Sequence, residues 1–178
     1  MKNILIVNDM QNDYIDGSLA TAEAAAILPA VRAKIESYPS EHVYATLDTH
    51  GKNYPETNEG RHMPVLHCIS GTEGWRIHPE LADSLKKATF VIKSSFGSEK
   101  LVSIMKDLYA REPISIELIG VNTDLSVVSN ALMLKAALPE IDITVDASCC
   151  AGSTKEKHAA ALETMQSCQI GIVYGNAD

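Results

Sequence analysis

Four stretches of this chain place a chemically useful polar side chain at the end of an apolar run. Asp9 follows residues 4–7, Asp48 and His50 follow 43–47, and Lys93 ends 90–93. The fourth is Gly120-Val121-Asn122-Thr123-Asp124-Leu125-Ser126, behind residues 114–119. That run closes a strand-like stretch and opens a helix-like one. Such an elbow aims a side chain and free backbone N–H groups at one point, as acyl-transfer sites require. Asp9 has the chemistry of a general base. A lysine set between a carboxylate and a nucleophile, as Lys93 would be, keeps the carboxylate ionised and favours an anionic attacking group. Asp48 and His50, two apart on extended chain, point to the same side. His67, in Pro64-Val65-Leu66-His67-Cys68, can complete a three-ligand metal set that leaves positions open for water and substrate. Taken singly, each residue has a plainer role: an Asx turn at Asp9, a snorkelling Lys93, surface imidazoles, a core ring at Tyr14.

Positioning these groups is the task of alternating strands and helices. Strand-like runs cover residues 3–8, 42–47, 89–93, 115–120, 142–146 and 170–173. Several are continuous in Ile, Val and Leu, which suits parallel strands covered on both faces. Helix-like stretches cover 20–37, 79–87, 99–109, 123–138 and 155–167, with Ser98 and either Ser153 or Thr154 as N-caps. The pattern predicts one α/β domain over residues 1–178, a three-layer α/β/α arrangement with a six-stranded parallel sheet. In such sheets ligands bind beyond the carboxyl ends of the strands, where Asp9, Asp48, Lys93 and Ser126 would meet. The exception is 49–78, rich in Gly, Pro, His and Asn, which reads as a long functional loop.

The 178 residues suffice for a full core, and a net charge of −8 without any basic stripe argues against nucleic-acid binding. No apolar stretch is long enough to span a bilayer, and the N-terminus runs straight into a strand with no secretion signal, so a cytoplasmic protein is expected. Cys68, Cys149, Cys150 and Cys168 match no zinc-ribbon spacing and read as small buried hydrophobes, not as a disulfide frame. Cys149 and Cys150, just past the fifth strand-like run, have no elbow that would make either a nucleophile. His42, His62, His78 and His158 read as surface or loop residues, Trp75 as packing for its loop, and Asp124 as a brace for the elbow. Gly71-Thr72-Glu73-Gly74 lacks the lysine and setting of a phosphate loop.

The elbow run resembles the Gly-x-x-Thr-Asp-x-Cys signature of the isochorismatase-like cysteine hydrolases, a family that includes nicotinamidases. Asp9 through Tyr14 is similar to the family's Asp-x-Gln-x-Asp-Phe opening, with Tyr14 in the aromatic position. Lys93 stands where the family has its catalytic lysine, and Asp48-x-His50 with His67-Cys68 matches the nicotinamidase metal triad. The resemblance runs from residue 3 to about 171, with its motifs in order. It implies the isochorismatase-like hydrolase fold and hydrolysis of a small carboxamide, such as nicotinamide to nicotinate and ammonia. The implied catalytic residues are Asp9, Lys93 and residue 126, with an oxyanion hole from the N–H groups of Asn122 and Ser126 and a cis peptide bond before Asn122. Tyr14 would lie against the substrate ring. A divalent ion on Asp48, His50 and His67 would hold a pyridine nitrogen; zinc is the expected metal, with manganese or iron as alternatives. A homo-oligomer, dimer or tetramer, is also implied.

Several positions depart from the family pattern, among them Asn122 and Leu125, which differ from common amidase choices. Met63 stands near the place of a common Trp, which bears on pyridine recognition. Ser126 replaces the nucleophilic Cys. A thiol near a lysine ionises readily, whereas a hydroxyl needs a real base. Asp9 beside Lys93 is expected to have a low pKa, which would make amide turnover slow. Three readings of Ser126 stay open: an introduced change in an intact amidase, an inactive relative that binds a small ligand, and isochorismatase-type hydrolysis of a vinyl ether. The retained metal triad speaks against the third.

Overall fold

A computed structural model describes residues 1–175. Six strands, β1 (Lys2–Asn8), β2 (Val43–Asp48), β3 (Thr89–Lys93), β4 (Ile114–Val121), β5 (Ile143–Ala151) and β6 (Gly171–Val173), form one parallel sheet in the order β3-β2-β1-β4-β5-β6. Eight helices accompany them: α1 (Asn12–Ile15), α2 (Ala22–Ala26), α3 (Leu28–Glu36), α4 (Asn58–His62), α5 (Pro79–Leu85), α6 (Glu99–Tyr109), α7 (Val128–Ala137) and α8 (Lys155–Ser167).

Side-chain alternation in β1 explains why its apolar run is continuous. Ile4 and Ile6 enter a core shared with Leu101 and Met105 of α6, Leu134 of α7, and Leu162 and Met165 of α8. Leu5 and Val7 enter the opposite core, with Val31 and Ile35 of α3 and Leu81 and Leu85 of α5. A strand covered on both faces has no position for a polar side chain until it ends. Each such Leu or Ile contributes about 1.5–3 kcal/mol by leaving water.

From β1 the chain moves outward to β2 and β3, then returns to place β4 on the other side of β1. The carboxyl ends of β1 and β4 therefore flank the point where strand order reverses, and a crevice opens there. Asn8 pairs with Gly120 across this junction. Gly120 has φ +108, and any Cβ there would collide with the Asn8 carbonyl oxygen. Glycine is what allows the two strands to close up beneath the elbow.

Several boundaries differ from the sequence reading. The stretch 20–37 is two helices, α2 capped by Thr21 and α3 beginning at Leu28-Pro29. The stretch 123–138 starts as a wide turn, Thr123–Val127, before α7 begins. The loop 49–78 carries a short turn of helix, Tyr54–Glu56, and α4. β5 runs on to Ala151 through an irregularity in its pairing with β4, so Cys149 and Cys150 lie within the strand and not beyond it. Both are buried, and burial pushes the Cys149 thiol up to about 11. Cys168, in contrast to the expected burial, is exposed. Ser98 caps α6, and Thr154, not Ser153, caps α8. Among the described residues no helix is long and apolar enough to cross a membrane.

Candidate active site

Asp9 leaves β1 with φ 47, in the left-handed region that few non-glycine residues enter. Such local strain persists where surrounding structure enforces it. The carboxylate is fully buried; Oδ1 accepts from the Thr46 hydroxyl at 2.6 Å, and Oδ2 faces Lys93 Nζ at 2.7 Å. Lys93, at the end of β3, reaches across β2 to touch all three other groups. Its Nζ lies 3.3 Å from Asp48 Oδ1, donates to Ser126 Oγ at 3.3 Å and to the Ser95 carbonyl at 3.1 Å. The lysine does not snorkel outward; it is buried as the hub of the cluster.

Burial raises the Asp9 carboxyl, the Lys93 attraction pulls it down, and the net shift is upward. This corrects the low pKa expected from sequence. One ammonium, shared with Asp48, does not offset complete loss of water. A raised pKa makes Asp9 the stronger base. Burial also works against the charge on Lys93, but Asp9 and Asp48 together raise its pKa.

The elbow is braced from both sides. The Asn122 carbonyl accepts from Leu125 N–H at 3.0 Å and Val127 N–H at 3.2 Å, passing over the N–H of Ser126. The Val121–Asn122 peptide is cis, as the resemblance implied. Asp124 accepts from Ser153 N–H at 2.7 Å and Ser153 Oγ at 2.6 Å, which gives it the bracing role read from sequence. Thr123 Oγ1 lies 2.8 Å from His158 Nδ1, so His158 is a partner of the elbow and not a free surface imidazole. His78 is likewise buried, against Asp16 and the start of α5. Below, a chain of buried amides ties β1 to α7 and α6: Asn130 Nδ2 donates to Asn8 Oδ1 at 2.8 Å, and Ser98 N–H donates to Asn130 Oδ1 at 2.9 Å.

Beside this cluster, Asp48, His50 and His67 offer ligand atoms within 4.8 Å of one another. Asp48 Oδ2 is 3.1 Å from His50 Nε2 and 3.5 Å from His67 Nε2. Four donors around an ion at about 2.1 Å stand roughly 3.4 Å apart, so the spacing fits a divalent metal. The donor chemistry fits as well. His67 Nδ1 faces the Val65 carbonyl at 2.8 Å. Donating its proton there leaves the Nε2 lone pair facing Asp48 and His50, and lone pairs so arranged need a cation between them. Burial opposes charge on His67, yet Asp48, the Val65 carbonyl and Glu59 raise its pKa. Burial would raise Asp48, but the two imidazoles, Lys93 and Tyr14 hold it well below the usual carboxylate range.

Several supporting residues were not singled out by sequence reasoning. Glu59 Oε1 lies 3.8 and 3.9 Å from the two Nε2 atoms, within reach of the same ion. Tyr54 packs its ring 4.6 Å from that of His50 and 5.0 Å from that of His67. Gln11 clamps Asp48 through its N–H and carbonyl, each at 2.8 Å, and Asp13 accepts from Cys68 N–H at 2.7 Å, fixing the neighbour of His67. The alternation of Asp9, Gln11 and Asp13 was the available signal. Tyr14 donates to Asp48 Oδ2 at 2.7 Å while its ring lines the cavity above. Trp75 bonds Thr49 Oγ1 at 2.8 Å and packs its loop.

Over these groups opens a cavity of about 660 Å³, bounded by Tyr14, Leu19, Met63, Phe96, Asn122 and Leu125 among others. Residues 3–176 match the isochorismatase domain. The chain belongs to the isochorismatase family. It is 29% identical to a nicotinamidase/pyrazinamidase of Mycobacterium tuberculosis (strain ATCC 25618 / H37Rv) over 189 residues, covering 95% of this chain and 97% of the relative. Its fold is similar to that of Pyrococcus horikoshii pyrazinamidase in complex with zinc, with TM-score 0.79, 24% identity and coverage of 98% and 99% of the two chains. The pyrazinamidase/nicotinamidase of Streptococcus mutans UA159 gives TM-score 0.81 at 24% identity, covering 97% of this chain and all of that one. An L. infantum protein in complex with nicotinate gives 0.81 at 19%, covering 99% and 94%.

Proposed function

We propose that this chain hydrolyses a small aromatic carboxamide to the carboxylic acid and ammonia, in the manner of a nicotinamidase. The observation that carries the reading is Lys93, which touches Asp9 at 2.7 Å, Ser126 at 3.3 Å and Asp48 at 3.3 Å and so joins nucleophile, base and metal ligand. Nicotinamidase/pyrazinamidase is the name of the curated relative, and nicotinate occupies the L. infantum structure.

In this scheme Ser126 Oγ attacks the carboxamide carbon and Asp9 takes the hydroxyl proton. The N–H groups of Asn122 and Ser126 receive the developing oxyanion, where one such donor is worth about 3–4 kcal/mol. The C–N bond then breaks, Asp9 returns the proton to departing ammonia, and an ester remains on Ser126. Water adds to that ester, its proton again passing to Asp9; the bond from the acyl carbon to Ser126 Oγ then breaks, Asp9 returns the proton to Ser126 Oγ, and the acid leaves. Lys93 keeps Asp9 ionised between steps. A divalent ion held by Asp48, His50 and His67, zinc as in the P. horikoshii relative, would supply a Lewis-acidic docking point for a substrate ring nitrogen.

The hydroxyl is the weak part of the design. Asp9 is a better base than its ion pair alone suggests, but a serine at this position still attacks more slowly than a cysteine would. The retained metal donors favour amide hydrolysis over vinyl ether hydrolysis. Ammonia release from nicotinamide by the zinc-loaded Ser126→Cys variant is the test, with Asp9→Asn in the same background as control. Release by the first and none by the second is expected. Thermal stabilisation by nicotinamide without ammonia from Ser126→Cys would replace the enzyme reading with a ligand-binding one.

A further inference from the structure

The cavity above the elbow is much larger than a single-ring amide requires. It holds about 660 Å³, whereas a pyridine carboxamide, with nine non-hydrogen atoms, fills on the order of 150 Å³, about five waters' share. Even with half of the space left to water, roughly 300 Å³ remains for a ligand. The lining runs from Glu59 and His67, past Asn122 and Leu125 at the elbow, to Ser153 just before α8 and Lys157 in its first turn. Its upper wall is apolar, from Leu19, Met63 and Phe96. Phe96 remains 43% exposed although it borders a pocket, an apolar surface that a flat ligand would cover.

The charges in this lining are not equivalent. Glu59 sits against the two imidazoles, and both Asp124 oxygens are engaged by Ser153. Lys157 has no ion-pair partner among the described residues, whereas its neighbour Lys155, outside this lining, pairs with Glu23 at 3.3 Å. The uncommitted charge on the cavity is therefore cationic and lies on α8, away from the metal donors.

We propose that the substrate is an extended, bicyclic-sized aromatic carboxamide that carries an acidic group remote from the amide. This deepens the amidase reading and rests on it. The amide reaches the elbow, the second ring lies against Leu19, Met63 and Phe96, and the acid meets Lys157. The probes are nicotinamide, quinoline-3-carboxamide, and quinoline-3-carboxamides bearing a carboxylate or an aminomethyl group on the far ring.

Two readouts serve: kcat/KM for ammonia release by the zinc-loaded Ser126→Cys variant, and calorimetric binding to the unsubstituted chain. The acid-bearing bicycle is expected to exceed nicotinamide by about tenfold or more in both and to exceed the amine analogue, with Lys157→Glu reversing the acid–amine order. Should that variant fold poorly, Lys157→Gln is expected to abolish the order. Nicotinamide equalling or surpassing the bicycles would overturn the inference and leave the amidase reading standing. A bicycle preference indifferent to the charge of its substituent would overturn the acidic group. No ammonia from any of the four amides would overturn the amidase reading and this inference with it.

Discussion

Replacing Lys93 by Met tests the hub of the site. The ammonium stands 2.7 Å from Asp9 Oδ2 and 3.3 Å from Asp48 Oδ1, and all three side chains are at least nine-tenths buried. Methionine keeps the unbranched apolar stem and removes the charged end, leaving two carboxylates without their shared cation. Removing one partner of a buried ion pair costs about 3–5 kcal/mol, so urea denaturation of metal-free protein at pH 8 should show a loss of that size. The loss should depend on pH in a definite direction. Because the Asp9 pKa is raised in the folded state, its contribution to stability is full below the ordinary carboxylate range and lost as pH rises through the folded value. Without Lys93 that folded value moves higher still. The deficit of Lys93→Met should therefore be largest at pH 8 and shrink as pH falls toward 5. A loss below about 1 kcal/mol, or one that grows on acidification, would refute the assignment of Lys93 as the charge that holds Asp9 ionised.

Far from the site, Lys34 bridges Asp146 at 2.8 Å and Glu117 at 3.0 Å, tying α3 to β5 and β4. Burial acts to raise Asp146, but Lys34, Ser148 and the Gly175 N–H hold it below its ordinary value. Its contribution is thus present above the ordinary range and lost as pH falls through the lowered folded value. Lys34→Met should cost about 3 kcal/mol at pH 7, and the gap from the unsubstituted chain should narrow toward pH 4; a gap that is constant with pH would contradict this. Zinc at a hundredfold excess over its dissociation constant should stabilise the chain by about 2.7 kcal/mol. His67→Ala should remove most of that gain in a thermal melt, and an unchanged gain would place the metal elsewhere.

The six strands were legible because burial on both faces demands uninterrupted apolar runs, and such runs end where the chain meets solvent or a site. For the same reason Asp9, Asp48, Lys93 and Ser126 stood out as polar residues at strand ends. Three kinds of feature were less visible. The break between α2 and α3 depends on the Thr21 cap and on Pro29, within a stretch whose composition is helical throughout. The extension of β5 through Cys149 and Cys150 depends on a pairing irregularity with β4 that only tertiary contact reveals. The supporting residues Gln11, Asp13 and His158 act on Asp48, Cys68 and Thr123, 35 to 55 positions away, and Tyr54 and Glu59 meet the two imidazoles only through the fold of their loop; spacing along the chain does not report such contacts. The upward shift of Asp9 was hidden for a related reason. Sequence shows a lysine nearby, but not that the carboxylate has lost all of its water or that Asp48 shares the same cation.

The attacking role of residue 126 is tested most directly by the ratio of kcat/KM for ammonia release between Ser126→Cys and the unsubstituted chain, both zinc-loaded and assayed on the same carboxamide. The expected result is a gain of at least about a hundredfold, the lower end of what activation of a nucleophile by a positioned base contributes. Equal rates in the two proteins would contradict attack by the side chain at position 126.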